Sequence, residues 1–279
     1  MSEQPFDEMV QAVLDRVTKP RRRGTPHVAA PLTGIDQVMI PTPHGRVAAW
    51  RVGTGPATLL VHGWQDDSSL WSPLMTALGE ASRSFVAFDL PAHGFSEGER
   101  GLTFEVADAL HAVAIALGPV QSLVAHSFAS GASALAVSEG LPVSRMVLIA
   151  PPLWPASASP FHRMADRLGF PVEVAERART EYRATTTPER AGHNVRTQLP
   201  DLDIELLLVS SVDDERMAVD DARSLAPQLR RGALFELQGL DHRETARDPR
   251  VIHRILEFVD GASPPSRYWA APELPDGSR

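Results

Sequence analysis

Short apolar runs alternate with segments of helical spacing along most of this chain. The runs are five or six residues long and cover residues 57–61, 84–89, 122–126, 145–150, 205–210 and 233–237. Between them, apolar residues recur every three or four positions, as Leu70, Leu74 and Leu78 do, which predicts helices. Each run alone also fits a short buried helix. The alternation as a whole predicts a parallel sheet with helices on both faces.

The last helix has the clearest boundaries. Asp248 is predicted as its N-cap, Pro249 as its first residue and Gly261 as its terminator. The apolar stripe between them consists of Val251, Ile252, Ile255, Leu256 and Val259. This stripe predicts that one face of the helix is buried.

The N-terminal part of the chain has a different pattern. Residues 37–40 and 46–52, joined by the Pro- and Gly-containing residues 41–45, predict an antiparallel hairpin. An earlier apolar stripe consists of Phe6, Met9, Val10, Val13, Leu14 and Val17. It predicts an amphipathic helix that packs on the core. The predicted fold class is therefore α/β, with a mostly parallel, doubly wound sheet of about eight strands, the antiparallel hairpin and a small helical lid.

The same patterns divide the chain into segments. We expect an N-terminal helical extension at 1–34, a core formed by 35–150 and 201–262, and an irregular tail at 263–279. Residues 151–200 interrupt the alternation with short amphipathic stretches and are interpreted as a helical lid over a pocket. A packed insertion without substrate contact is the alternative interpretation.

Composition narrows the class of protein. The chain has 279 residues, 43% of them hydrophobic, which is enough for one large domain with a small lid. Its net charge of −8 argues against nucleic-acid binding, and the absence of cysteine excludes disulfides and thiol catalysis. Neither a signal peptide nor a membrane-spanning run is found, so we expect a cytoplasmic protein without a membrane partner. The basic residues 21–23 are expected to form a solvated linker.

Ser127 lies where an apolar run changes abruptly into a segment of small residues. A serine is a useful nucleophile only where a sharp turn exposes it and a base can reach it. Such a turn requires small residues two positions before and after the serine, as Ala125 and Ala129 are. Both glycines of the usual G-x-S-x-G pattern are replaced, however. Taken alone, the segment fits either a nucleophile turn or an ordinary strand end.

The order of the motifs resembles the α/β-hydrolase fold superfamily over about residues 35–260. His62-Gly63-Trp64 follows the third predicted strand, and Asp89-Leu90-Pro91-Ala92-His93-Gly94-Phe95-Ser96 follows the fourth. The serine segment follows the fifth strand, and the insertion follows the sixth. The resemblance implies a catalytic triad in the chain order serine, acid, histidine.

The resemblance also assigns roles to particular residues. Asp214 matches the acid, with the adjacent Asp213 as the alternative, and His242 matches the base. His253 is less suitable, because it lies in the middle of a predicted helix. The backbone N–H groups of Trp64 and Phe128 are the implied oxyanion donors.

A function follows from these assignments as a hypothesis. The chain is predicted to be a serine hydrolase that cleaves a carboxylic ester of a small, largely apolar substrate through an acyl-enzyme. The predicted pocket residues are Trp64, Phe95, Phe128 and Trp154. Acyl transfer, cleavage of a thioester, amide or C–C bond, and a receptor that binds ligand without turnover remain alternatives. A serine at the elbow disfavours dehalogenase chemistry, which uses an aspartate in this family.

No cofactor or metal is predicted. His62, His93 and His126 fall in three separate strand-end motifs without metal-ligand spacing, so structural roles are expected. The acidic residues 213–215, 220 and 221 lack the alternating oxygen ligands and central glycine of a calcium loop. Apart from the triad acid, we expect them to be solvated. The sequence leaves the oligomeric state open.

Overall fold

Strands at regular intervals form one sheet in the computed structural model, which describes residues 3–22, 28–155, 158–263 and 266–268. The strands are β1 (Val38–Thr42), β2 (Gly45–Val52), β3 (Ala57–Val61), β4 (Ser84–Phe88), β5 (Val120–His126), β6 (Arg145–Ile149), β7 (Glu205–Ser211) and β8 (Gly232–Leu237). The helices are α1 (Glu3–Thr18), α2 (Ser72–Glu80), α3 (Thr103–Leu117), α4 (Ala129–Ser138), α5 (Pro160–Arg167), α6 (Val172–Arg183), α7 (Pro188–Ala191), α8 (Val195–Gln198), α9 (Val219–Leu225) and α10 (Pro249–Val259).

The sheet has the order β1-β2-β4-β3-β5-β6-β7-β8. β1 and β2 pair antiparallel, β2 pairs antiparallel with β4, and β3 to β8 are mutually parallel. Successive side chains of the parallel strands enter opposite faces, so Leu59 packs with α3 and α4 while Leu60 packs with α2 and α10. The carboxyl ends of the parallel strands therefore meet at one edge, which is where the site described below lies. The predicted α/β class is confirmed.

The hairpin is present with a tighter turn than predicted. Strand β1 continues to Thr42, which pairs with Gly45, so only Pro43 and His44 form the connection. Pro41, expected in the turn, is part of the strand. It is tolerated there because β1 lies at the edge of the sheet, where a missing N–H costs least.

The N-terminal helix packs on a different partner from the one predicted. Val10 and Val13 of α1 are buried against Phe161 of α5 and Val174 of α6, in a cluster separate from the two that cover the sheet. The expectation that α1 packs on the core was therefore wrong. Helices α5 and α6 have apolar stripes of their own, and α1 covers them.

The segment after α1 is also not a purely solvated linker. The Arg22 guanidinium donates to the carbonyl oxygens of Gly94, at 3.1 Å, and Ser96, at 2.8 Å. It thereby fastens the N-terminal segment to the loop after β4. Arg23 lies outside the described residues, as does most of the predicted irregular tail. Within that tail, Tyr268 forms a single bridge to Leu234 of β8.

Candidate active site

Ser127 occupies the sharp turn between β5 and α4. Its φ of 52° lies in the left-handed region, which costs a non-glycine residue about 1–3 kcal/mol. The Ser127 N–H donates to the carbonyl oxygen of Ile149 at 2.8 Å, which ties the turn to β6. Ala125 and Ala129 are fully buried beside it. Alanine is thus small enough for strand and helix to pack at this elbow without the two glycines.

Two further loops bring an imidazole and a carboxylate to this serine. The Ser127 hydroxyl lies 2.9 Å from Nε2 of His242, in the loop after β8. The Nδ1 of His242 lies 2.7 Å from Oδ2 of Asp214, in the loop after β7. All three residues are less than a tenth exposed. The three groups therefore form one continuous hydrogen-bonded chain shielded from water.

Asp214 is held as an anion. Its Oδ1 accepts hydrogen bonds from the backbone N–H groups of Arg216, at 2.8 Å, and Met217, at 3.1 Å. Burial alone would raise the pKa of Asp214, but hydrogen bonding to His242 and to these N–H groups outweighs burial and lowers it. A charged carboxylate is what orients an imidazole and stabilises its protonated form.

The alternative acid and base lie elsewhere. The side chain of Asp213 accepts a hydrogen bond from the Gly239 N–H at 2.6 Å and does not contact His242. His253 lies on the exposed face of α10, 3.5 Å from Glu257. Of the other acidic residues expected to be solvated, Asp221 instead pairs with Arg196 at 3.1 Å.

Phe128 directly follows Ser127, and Trp64 follows Gly63, whose Cβ position lies 3.2 Å from Cβ of Ser127. In the described part of the chain the backbone N–H of neither residue donates a hydrogen bond to another protein group. Their side chains contact each other edge to face, with ring centroids 5.2 Å apart. Their N–H groups therefore stay candidates for the oxyanion donors that the sequence predicted.

Gly63 permits the close approach of these two loops. A Cβ at this position would lie 2.8 Å from Nδ1 of His126 and 3.2 Å from Cβ of Ser127. Any larger residue would push the loop after β3 away from the serine turn.

His62 and His93 join the loops after β3 and β4. Nε2 of His62 accepts from the Leu90 N–H at 3.0 Å, and Nε2 of His93 accepts from the Gln65 N–H at 3.0 Å. Each ring uses Nδ1–H to donate to a backbone carbonyl, of Gly63 and Pro91 respectively. Both histidines therefore join neighbouring loops through their rings, and the contact of His93 with Gln65 adjoins Trp64.

Asp89 completes the loop after β4. Its carboxylate oxygens accept from the N–H groups of Ser68 and Phe95, each at 2.8 Å. Gly94, with φ of 46°, passes so close that a Cβ would lie 2.1 Å from Oδ2 of Asp89. The turn from Asp89 to Ser96 is thus stabilised by contacts of the Asp89 carboxylate within the motif itself.

His126 contacts both the backbone and the ring of His242. Its Nε2 lies 2.9 Å from the carbonyl oxygen of His242, and the two rings are 4.8 Å apart. Burial and the neighbouring His242 lower the pKa of His126 to about 4, and burial lowers the pKa of His93 to about 3. Within the described ranges, no group of three or more His, Cys, Asp or Glu side chains is arranged to hold a metal ion.

A cavity of about 420 Å³ has Phe128, the neighbour of Ser127, in its lining, whereas Ser127, Asp214 and His242 are not among its lining residues. Its walls come from α4 and the loop before α3 on one side and from α5, α6 and residues 190–195 on the other. Phe128 and Trp154 line it, as the pocket hypothesis requires. Trp64 and Phe95 are not lining residues: Trp64 lies between Phe128 and His93, and Phe95 packs against Trp50 in the core.

Several residues near the site belong to none of the motifs identified in the sequence. Asp66, buried in the loop after β3, forms an ion pair with the side chain of Arg243, which is about a third exposed and neighbours His242 in sequence. Six arginines also line the cavity. Those on α5 and α6 are spaced four residues apart, which places them on one helix face. That spacing was visible in the sequence, but the cavity that the face borders was not.

Comparison with known proteins agrees with this geometry. A family model described as "Alpha/beta hydrolase family" matches residues 58–276. No curated protein matches the chain significantly. The chain therefore belongs to the alpha/beta hydrolase family, as the motif order indicated, and is an enzyme of the hydrolase class. Among the described residues, every helix is too short or too polar to cross a bilayer.

Solved structures share the fold at low identity. An esterase from Pyrococcus furiosus superposes with a TM-score of 0.67 at 17% identity, covering 87% of this chain and 98% of that one. An esterase from Thermogutta terrifontis superposes with a TM-score of 0.63 at 19% identity, covering 81% of this chain and 98% of that one. An esterase from a Rhodococcus species superposes with a TM-score of 0.60 at 19% identity, and the two chains are again covered to 81% and 98%. At these identities the likeness establishes the fold.

Replacing Gly63 by alanine tests the close approach of the two loops. We expect Gly63→Ala to lower the free energy of unfolding by about 1–3 kcal/mol, because the added methyl overpacks the contact with His126 and Ser127. Gly79→Ala is the matched control, since Gly79 is exposed on α2 and nothing lies within 4 Å of its Cβ position. It should stabilise the helix by about 0.5–1 kcal/mol. Urea unfolding measures both, and an equal effect of the two changes would contradict the packing described.

The buried neutral histidines predict a pH dependence of stability. In the unfolded chain a histidine titrates near pH 6.5, whereas His93 and His126 stay neutral in the folded protein to about pH 3 and 4. As the pH falls below 6.5 the unfolded state therefore binds more protons, and each histidine lowers the free energy of unfolding by about 1.4 kcal/mol per pH unit.

Urea unfolding between pH 4.5 and 6 measures this slope. We expect His93→Gln to make it shallower by about 1.4 kcal/mol per pH unit. His253→Gln serves as control, because that ring is solvated in both states. An unchanged slope in His93→Gln would show that His93 is not held neutral.

Proposed function

We propose that this protein is a serine hydrolase that cleaves a carboxylic ester of a small, largely apolar substrate through an acyl-enzyme intermediate. The single observation that carries the proposal is the hydrogen-bonded chain from Asp214 through His242 to Ser127. Family membership supports hydrolysis in general. The esterase likeness of the superposed structures agrees with the choice of an ester.

Acylation would begin with attack of Ser127 Oγ on the ester carbonyl carbon. His242 Nε2, already 2.9 Å away, accepts the hydroxyl proton as the new C–O bond forms. The negative charge that develops on the carbonyl oxygen is stabilised by the N–H groups of Trp64 and Phe128. When the tetrahedral intermediate collapses, His242 returns the proton to the departing alcohol oxygen.

Deacylation would repeat these steps with water. His242 removes a proton from the water as its oxygen attacks the acyl carbon, and the same two N–H groups hold the second oxyanion. Collapse releases the carboxylic acid, and Ser127 recovers its proton. Asp214 remains charged throughout and stabilises the imidazolium formed in each half-reaction.

The cavity supports a lid role for residues 151–200. It lies between this insertion and the core, and Trp154 of the insertion and Phe128 of the core both line it. A volume of about 420 Å³ suits a small molecule rather than a polymer. We accordingly propose the division into N-terminal extension, core and lid expected from the sequence, with a small-molecule substrate and no nucleic-acid partner.

The same triad can serve an acyltransferase, a thioesterase, an amidase or a C–C hydrolase, because the pocket selects the leaving group. A receptor without turnover was suggested by the missing elbow glycines. The intact turn at Ser127, with the base in contact, favours catalysis over that alternative. Steady turnover of a small aryl ester, rather than a single acylation, separates the two.

Matched carboxylate variants test the proposed mechanism. With para-nitrophenyl butanoate, Asp214→Asn should reduce kcat by about 10⁴-fold, because the imidazole then adopts the wrong tautomer. Ser127→Ala should lose at least as much. Asp213 is adjacent in sequence but has no hydrogen bond to His242, so the kcat of Asp213→Asn should stay within about threefold of wild type. Equal losses in the two aspartate variants, or wild-type turnover by Ser127→Ala, would rule the mechanism out.

A further inference from the structure

The side chains that line the cavity near Ser127 carry positive charge. Its described lining contains six arginines and no lysine, aspartate or glutamate. They are Arg16, Arg163, Arg167, Arg179, Arg183 and Arg190. The protein as a whole has a net charge of −8, so this concentration of positive charge runs against the overall balance.

Two of these arginines already have carboxylate partners. Arg190 contacts Asp108 at 2.9 Å and Glu139 at 2.7 Å, which ties α7 to α3 and to the end of α4. Arg179 contacts Glu176 at 2.7 Å. The Arg190 pairs join the insertion to the core, whereas the Arg179 pair lies within α6.

The other four arginines are without such a partner. Among the described residues, no carboxylate lies within 4.0 Å of the guanidinium groups of Arg16, Arg163, Arg167 or Arg183. Arg163 lies over the ring of Trp154, at 4.6 Å from its centroid. This contact holds the guanidinium at the cavity wall, and all four of these arginines are exposed, so their charges lie where the cavity meets solvent.

Three helices contribute these charges to one opening. Arg163 and Arg167 are four residues apart on α5, Arg179 and Arg183 are four apart on α6, and Arg16 is in the last turn of α1. Residues at this spacing share a helix face. All five arginines line the same cavity, and four of them are exposed, so the three helices present positive charge at its solvent side.

The inner part of the cavity is apolar. Leu102, Phe104, Phe128 and Leu135 line it on the core side. Phe128 directly follows Ser127, so this end of the cavity adjoins the proposed nucleophile. A ligand that satisfies both ends has an apolar body near the serine and a negative charge among the arginines.

We infer that the substrate is an ester with an anionic group, a carboxylate or a phosphate, at the end remote from the scissile bond. Arg163, Arg167 and Arg183 recognise that group and so determine specificity. This inference rests on the proposed ester hydrolysis and deepens it. Guanidinium groups suit both anions, because their N–H donors match paired oxygens.

Pairs of esters that differ only in the remote group test the inference. On the acyl side, para-nitrophenyl hexanoate is compared with the mono-para-nitrophenyl ester of hexanedioic acid and with that of phosphonooxyhexanoic acid. On the alcohol side, hexyl butanoate is compared with butanoyloxyhexanoate. We expect at least one anionic ester to have a kcat/KM about tenfold or more above its neutral counterpart. The preference between carboxylate and phosphate identifies the anion.

Arginine variants test whether the cavity arginines cause the preference for an anionic ester. The double variant Arg167→Gln/Arg183→Gln should lower kcat/KM for the anionic ester by about tenfold, mainly through KM, and change the neutral ester less than about twofold. Raising the salt concentration should have the same selective effect. Arg177→Gln is the matched control, since Arg177 is exposed on α6, pairs with Glu181 at 2.6 Å and does not line the cavity.

The inference is overturned if no anionic ester is preferred, or if the double variant affects neutral and anionic esters equally. If wild type hydrolyses no ester at all, the proposed function fails instead. Calorimetry on Ser127→Ala with hexanedioic acid monoamide, against neutral hexanamide, then decides the anion site alone. Binding of the monoamide that the double variant abolishes supports the site, and equal binding of both amides refutes it.

Discussion

One hydrogen-bonded chain, from the Asp214 carboxylate through the His242 ring to the Ser127 hydroxyl, depends on three loops that are far apart in sequence. They meet because β5, β7 and β8 are parallel and end at the same edge of the sheet. The strained turn at Ser127 then lifts the hydroxyl above that edge. If any of the three loops moved by about 1 Å, the contacts on which the proposed nucleophile depends would be lost.

Much of the surrounding structure keeps these loops in place. The rings of His62 and His93 join the loop after β3 to the loop after β4, and His126 contacts the backbone of His242. Asp66 and Arg243 link the loop after β3, which contains Trp64, to the loop that contains His242. The cost of burying these polar groups is offset by hydrogen bonds that hold the site together.

The sequence predicted those features that depend on local pattern. Short apolar runs and helical stripes identified the sheet and its helices, and motif order indicated the family. It could not identify the partner of α1, because an amphipathic stripe requires an apolar partner without specifying which one. The orientation of Phe95 could not be predicted for a similar reason. Its position in a loop near the site does not specify that its ring packs against Trp50. The arginines at 163, 167, 179 and 183 shared helix faces, but only the packing of α5 and α6 showed that these faces border a cavity.

Labelling with a fluorophosphonate probe, followed by intact-mass measurement and peptide mapping, tests the nucleophile most directly. An activated serine attacks the phosphorus and keeps the adduct, whereas an ordinary surface hydroxyl reacts negligibly. Wild type should gain one adduct, located on the peptide that contains Ser127, and Ser127→Ala should gain none. Equal labelling of the two proteins, or an adduct on another residue, would contradict a hydrolase built on this serine.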